Sequence, residues 1–165
     1  MFKSIFLPII AVAVFISFVG FLSQGKFDSL FKKITPTPSS SHKTIKINDT
    51  EIQVEVAKTN EERARGLSNR TKLDENSGMV FVFSKKSKLV FWMKDTKIPL
   101  DIIWINDNII IGIDKDVKPE PNVIDSKLTK YPAPDDINYV LEVNAGFSDK
   151  FGIKLGQSLS GLEQL

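Results

Sequence analysis

Two carboxylates with apolar neighbours on both sides are the first residues to weigh for chemistry in this chain. Asp101 stands between Leu100 and Ile102, and Glu142 between Leu141 and Val143. A carboxylate taken out of water without a partner costs several kcal/mol, so each needs fixed donors, a counter-ion or a wet pocket. Strand alternation puts Asp101 on the face of Ile103 and Ile105, and Glu142 with Asn144 on the face opposite Leu141 and Val143, so the two carboxylates are expected to share one interior. Paired carboxylates are the minimum for glycoside hydrolysis or for a site that binds a hard cation. The structural alternative is that Asp101 accepts hydrogen bonds from backbone amides or from Thr96 across the Ile98-Pro99 break, while Glu142 pairs with Lys94 or an arginine.

Around these acids the sequence gathers further polar and aromatic groups. Trp92, Lys94 and Asp95 precede Asp101 in one short run, and Arg65 lies in Arg65-Gly66-Leu67. Arginine can clamp a carboxylate or phosphate, and exposed aromatic rings can stack on a sugar ring or a peptide. The candidate ligand-binding residues are therefore Trp92, Lys94, Asp95, Asp101, Glu142, Asn144 and Arg65; no catalytic residue is assigned. Phe91 and Trp104 are expected in the core, while for Arg63 and Arg70 a clamp on a ligand and a solvated helix face are equally open.

Composition narrows the chemistry. The chain has no cysteine, which removes disulfides, thiolate nucleophiles and thiolate metal sites together. Its one histidine, His42, sits in a Ser/Thr/Pro-rich stretch, so a Ser-His-Asp triad or a His-ligated zinc within the domain is excluded. A net charge of +2, with lysines and acids interspersed, makes nucleic acid a poor partner. No cofactor and no metal are expected in the leading reading.

The elements that must carry these residues can be read in outline. Ser4 to Leu22 is apolar and uncharged, long enough to cross a bilayer as a helix. Residues 1–24 are thus expected to be an uncleaved membrane anchor, with a cleaved signal peptide, and so a secreted protein, as the alternative. Residues 25–43 form a basic and then Ser/Thr/Pro-rich linker, too polar to pack. Counting lysines on either side of the anchor favours a cytoplasmic C-terminal side. Long domains translocate largely regardless of such charge, and the expected location is extracytoplasmic.

Residues 44–165 should form the globular domain. Thr44 to Ala57 alternates around Asn48-Asp49-Thr50 as a hairpin. Thr59 and Glu62 match a capping box, with Ala64 and Leu67 as the buried stripe and Gly66 as a left-handed cap. Gly78 to Phe83 reads as a central strand, followed by a solvated turn at Lys85, Lys86 and Lys88. Leu89 to Met93, Leu100 to Ile105, Ile109 to Ile113 and Tyr139 to Gly146 continue as strands; Pro99 belongs at an edge, a bulge or a strand start. Asp114 to Pro134 is long and polar, hence functional or mobile. Ser148 is expected to cap a brief helix. Many short strands and two short helices predict a mainly β (α+β) fold, a jelly-roll-like β-sandwich or open barrel without a βαβ parallel sheet.

The run Phe91-Trp92-Met93-Lys94-Asp95-Thr96-Lys97-Ile98-Pro99-Leu100-Asp101 resembles the hallmark of the DUF192 family. Arg65-Gly66-Leu67, Gly78 to Phe83, Tyr131-Pro132-Ala133-Pro134 and Val140 to Gly146 are similar to further segments of that family, in its order. The resemblance implies a mainly β, jelly-roll-like fold and export behind a signal sequence, and it implies no agreed activity. This chain departs from it twice. Where many members carry cysteines before the Tyr-Pro motif, it has Val123, Ile124, Asp125 and Ser126; and Asp95 replaces the commoner asparagine. The leading functional expectation is a non-catalytic binding module for a carbohydrate, peptide or partner, tethered outside the membrane. The rival is a carboxylate-dependent hydrolase acting on envelope polymers, with Mg²⁺ or Ca²⁺ as its metal. A third reading is a structural partner-binding protein, marked by a sizeable exposed apolar patch.

Overall fold

Apolar residues alternate with polar ones in Lys43–Ile47 (β1) and Thr50–Ala57 (β2), and the two pair as an antiparallel hairpin from Lys43 opposite Val54 to Ile47 opposite Thr50. Asn48 turns the chain at φ +53°, a conformation asparagine tolerates better than most residues. The computed structural model describes residues 42–165. The expected membrane segment, residues 1–24, lies outside the described residues, as does nearly all of the 25–43 linker. Among the described residues no helix is long and apolar enough to cross a membrane.

After β2 the capping box forms as the sequence requires. Thr59 Oγ1 accepts the Glu62 amide at 3.1 Å, and the Glu62 carboxylate accepts the Thr59 amide at 2.9 Å, opening helix α1 (Asn60–Arg65). The expected buried stripe is only half present: Leu67 is buried, but Ala64 on this single short turn faces outward. Gly66 ends the helix at φ +47°, ψ −134°. That is not the left-handed helical cap foreseen but a still rarer region that glycine alone enters at little cost.

The next strands are Ser77–Ser87 (β3), Val90–Phe91 (β4), Leu100–Asn106 (β5), Ile109–Val117 (β6), Tyr131–Pro132 (β7), Ile137–Asn144 (β8) and Leu159–Ser160 (β9). Helix α2 spans Phe147–Lys150. Seven strands form one sheet in the order β6-β5-β8-β3-β2-β1-β9, and β4 pairs with β7 separately. The fold is mainly β, with the sheet curled into a half-barrel. The open-barrel expectation is met and the sandwich expectation is not, because the second sheet has only two short strands. Curling is fastened by the last segment: the Ile110 N–H donates to the Gln157 carbonyl oxygen and the Leu159 N–H to the Asn108 carbonyl oxygen, while β9 pairs with β1. One segment thus ties both edges of the sheet.

Several local expectations change. Strands β2 and β3 run parallel, from Gln53 beside Ser77 to Ala57 beside Phe81, since α1 carries the chain back across the sheet. This is one βαβ connection where none was expected. Lys85 and Lys86 extend β3 instead of turning. Leu89 to Met93 is a strand only at Val90–Phe91. Helix α2 begins at Phe147 with Gly146 before it, so Ser148 lies inside the helix and does not cap it. Pro99 stands just before β5, where its missing N–H interrupts no ladder.

Two apolar clusters fill the two faces of the sheet. One, inside the curl, includes Ile52, Val80, Ile103, Leu141, Val143 and Phe147. The other, on the outer face, includes Leu67, Met79, Phe81, Met93, Ile102, Trp104 and Val140. Both clusters are built from described residues, so residues 42–165 carry a core of their own and have the makings of a folding unit. Gly78 is required at the β3–β8 contact, because a Cβ there would come within 2.6 Å of the Glu142 carbonyl oxygen.

Candidate functional site

Cross-strand register decides what the two carboxylates can do. Asp101 of β5 is paired with Val143 of β8, and Ile102 with Glu142. Directly paired residues point to the same face of a sheet, so Asp101 faces the inside of the curl and Glu142 the outer face. They do not share an interior, and the paired-carboxylate hydrolase reading loses its basis. Among the described residues no three His, Asp or Glu side chains are grouped to hold a metal ion.

Asp101 is a fold pin. It is 0 % exposed, and its Oδ1 accepts the Asp116 amide at 2.9 Å and the Gly146 amide at 3.2 Å, while Oδ2 accepts the Ser148 amide at 2.9 Å. The Asp116 amide is aimed by a bulge: Leu100 pairs with Val117 and Ile102 with Asp114, so Asp101 alone opposes two residues of β6, and Asp116 takes φ +51°. One carboxylate therefore joins β5, the β6 bulge and the start of α2. Backbone amides are the donors, as one alternative held; Thr96 is not, its hydroxyl lying 3.4 Å from the Lys94 carbonyl oxygen.

Glu142 is the opposite case. It is 5 % exposed and lies between Met79 of β3 and Ile102 of β5 in register. Among the described residues no group hydrogen-bonds its carboxyl, and burial alone pushes its pKa up to about 8. At neutral pH it is mostly the neutral acid, able to donate a hydrogen bond. Its side chain reaches a pocket of about 250 Å³ on the outer face. The walls are mainly apolar: Leu67, Phe81, Phe83, Leu89, Phe91 and Trp92, with Thr96 beside them. Phe91 anchors the aromatic wall, meeting Phe81, Phe83 and Trp104 edge-to-face with ring centroids 5.0, 6.4 and 5.5 Å away.

The remaining candidates divide between this pocket and the scaffold. Trp92, 46 % exposed, lines the pocket and carries Lys130 Nζ 4.3 Å above its ring. Lys94 also lines it, but its ammonium pairs with Asp125 at 2.6 Å rather than with Glu142, and that partner raises its pKa. Arg65 lines the rim. Asn144 is a pin: its Nδ2 donates to the Leu73 and Asp74 carbonyl oxygens at 3.1 and 3.0 Å. Asp95 stands outside the pocket lining at φ +55°, which explains why aspartate can replace asparagine here: the position needs a residue that enters the left-handed region, and both do.

Sequence reasoning passed over Phe81, Phe83, Leu67 and Thr96 as pocket walls. The signal was present, since Met79, Phe81 and Phe83 alternate with valines and so collect on one face of β3. Arg63, for which a ligand clamp and a solvated face were both open, donates to the Val82 carbonyl oxygen at 2.9 Å and to Asn60 Oδ1 at 2.6 Å, with its guanidinium 4.9 Å from the Phe83 ring centroid. Arg70 grips Glu55 through two bonds of 2.5 and 2.6 Å.

The sequence profile of the DUF192 family, described as an uncharacterised ACR, matches residues 43–161. The chain belongs to the DUF192 family. Two solved structures are similar to it. One is a protein of unknown function from Novosphingobium aromaticivorans DSM 12444, 30% identical, with a TM-score of 0.68 over 77% of this chain and 90% of that one. The other comes from Sinorhizobium meliloti 1021, is described as a candidate transcription regulator, and is 27% identical, with a TM-score of 0.68 over 74% of this chain and 95% of that one. No curated protein matches the chain. Of the five DUF192 segments in this sequence, Arg65-Gly66-Leu67, Gly78 to Phe83, Phe91 to Asp101 and Val140 to Gly146 each supply a wall or the floor of the pocket.

Proposed function

We propose that this DUF192 domain is a non-catalytic binding module whose site is the pocket over Glu142, and that the chain carries it on the outer side of a membrane. The observation that carries the binding reading is a carboxyl on a nearly buried residue that no described group hydrogen-bonds and that opens onto the floor of an apolar pocket. Such a group costs stability, and Asp101, one strand away with three amide donors, illustrates how this fold treats an acid it keeps for structure. A bound molecule would complete what the protein leaves open at Glu142. The membrane reading is supported by the uncharged apolar span from Ser4 to Leu22 and the polar linker that follows it.

The chain has only two tryptophans, one at the pocket edge and one buried, which makes the binding test direct. Small aromatic and aliphatic molecules, sugars and peptides titrated into the 42–165 domain should perturb Trp92 and leave Trp104 unchanged; a screen in which no compound moves Trp92 would overturn the reading. Location is tested separately by protease added to intact cells. Release of a soluble domain is expected, and protection until lysis would place the domain in the cytoplasm.

The regulator description of the Sinorhizobium protein suggests nucleic-acid binding as a second reading, and no feature of this chain favours it. Residues 42–165 carry 18 lysines and arginines against 19 aspartates and glutamates, which leaves little net positive field for phosphates.

A further inference from the structure

We propose that the Glu142 pocket takes a small, neutral, mainly apolar molecule bearing one acceptor oxygen, a ketone, aldehyde, ester or ether, to which the Glu142 carboxyl donates a hydrogen bond. This rests on the binding reading above and narrows it to a class of ligand.

The charges that face the site set the character of its ligand. Glu142 has non-titrating neighbours on both adjacent strands, Met79 on β3 and Ile102 on β5. The ionic groups lining the pocket besides Glu142 are Arg63 and Arg65 from α1 and Lys94 from the loop after β4, all cationic. Glu55, on the neighbouring strand β2, is already held by Arg70, and the lysine's own counter-ion, Asp125, is exposed beside it. An ammonium ligand would enter a pocket whose rim already carries three cations and would have to shed its water to meet Glu142. An anionic ligand could use the rim but would set a second carboxylate or phosphate against Glu142. A neutral oxygen needs neither: it accepts the proton that burial keeps on the carboxyl, and its hydrocarbon body contacts Phe81, Phe83, Leu89, Phe91 and Trp92. The volume of about 250 Å³ is at or below the small end of ligand pockets, roughly 300–1,000 Å³, which suits a single-ring molecule.

Three probes of nearly one shape separate the cases: acetophenone, ethylbenzene and 1-phenylethylamine, titrated into the 42–165 domain while the methyl resonances of Leu67, Leu89 and Thr96 are followed against Ile45 as a remote control. At pH 6 acetophenone should bind about tenfold more tightly than ethylbenzene, the yield of one buried hydrogen bond. Raising the pH to 9.5 should bring acetophenone down to the level of ethylbenzene, as the donated proton is lost. Glu142→Gln keeps an N–H donor and cannot ionise, so it should bind acetophenone at both pH values with no such loss. Equal binding of acetophenone and ethylbenzene at pH 6, or tightest binding of the amine, would overturn the ligand class and leave the pocket as a binding site. If none of the three moves the pocket methyls, this proposal falls, and the binding reading is then decided by the wider Trp92 screen.

Discussion

Replacing Asp101 by alanine should destabilise the domain by about 2–4 kcal/mol. Three backbone amides lose a charged acceptor at once, and they differ in what replaces it. Ser148 is fully buried, so its N–H is left without any partner, at a cost of about 1–3 kcal/mol. Asp116 and Gly146 lie at exposed positions, where water can take over, and each contributes about 0.5 kcal/mol. Removing a buried charge returns part of this, which keeps the total below the sum of three charge-assisted bonds. Asp101→Asn should fall between the two proteins, because its oxygen can still accept from Asp116 and Gly146 while its NH₂ meets the Ser148 N–H. Denaturant midpoints at unchanged slope measure all three. An alanine variant within about 0.5 kcal/mol of the parent would refute the assignment of Asp101 as a pin.

Glu142 sets a pH signature of the opposite sign to ordinary acids. Its folded pKa, about 8, lies above its ordinary 4.5, so between those values the folded state holds a proton the unfolded state has released, and stability should fall as pH rises through that window. At about 1.4 kcal/mol per pH unit the ceiling is about 5 kcal/mol, and Glu142→Gln should match the parent near pH 4.5 and exceed it increasingly up to pH 8, read from midpoints at each pH. Glu55, Glu75 and Asp125 have lowered pKa values, from the Arg70, Lys150 and Lys94 partners respectively, so their contributions are lost only in more acid solution and do not mask this trend. Gly78→Ala should cost about 3 kcal/mol or prevent soluble expression, because the new Cβ meets strand backbone at 2.6 Å that cannot step aside. Trp92→Ala, at a half-exposed position, should change stability by no more than about 1 kcal/mol yet weaken acetophenone binding at least severalfold, as followed by the Thr96 methyl.

What the sequence disclosed and what it withheld divide along the range of the interaction. The hairpin at Asn48, the capping box of Thr59 and Glu62, and the placement of Pro99 are settled by neighbours a few residues apart, and all were legible. The faces of β5 and β8 were each legible alone, but whether Asp101 and Glu142 meet depends on the register between strands about forty residues apart, which alternation does not encode. A slip of one residue would have put them on the same face. The partner of Lys94 was hidden for the same reason, since Asp125 comes from the long segment beyond β6 and reaches the lysine only through the fold. The parallel β2–β3 pair escaped although the helix between the strands was read, because α1 has only six residues, none of them buried, and so does not look like the helix of an ordinary βαβ crossover. The family segments were read correctly as a set, but that four of the five come together around one acid is visible only in three dimensions.

Titration of Glu142 itself decides whether the pocket holds an unpartnered, largely neutral carboxyl. Selective ¹³C labelling of glutamate lets the Glu142 side-chain carboxyl carbon be followed from pH 3 to pH 10 in the 42–165 domain. A midpoint near 8 is expected, displaced upward when acetophenone is present, since a ligand that binds the protonated form raises the apparent pKa. A midpoint near 4.5 that no probe moves would mean that Glu142 is solvated or paired in solution, and it would contradict the binding site built on it.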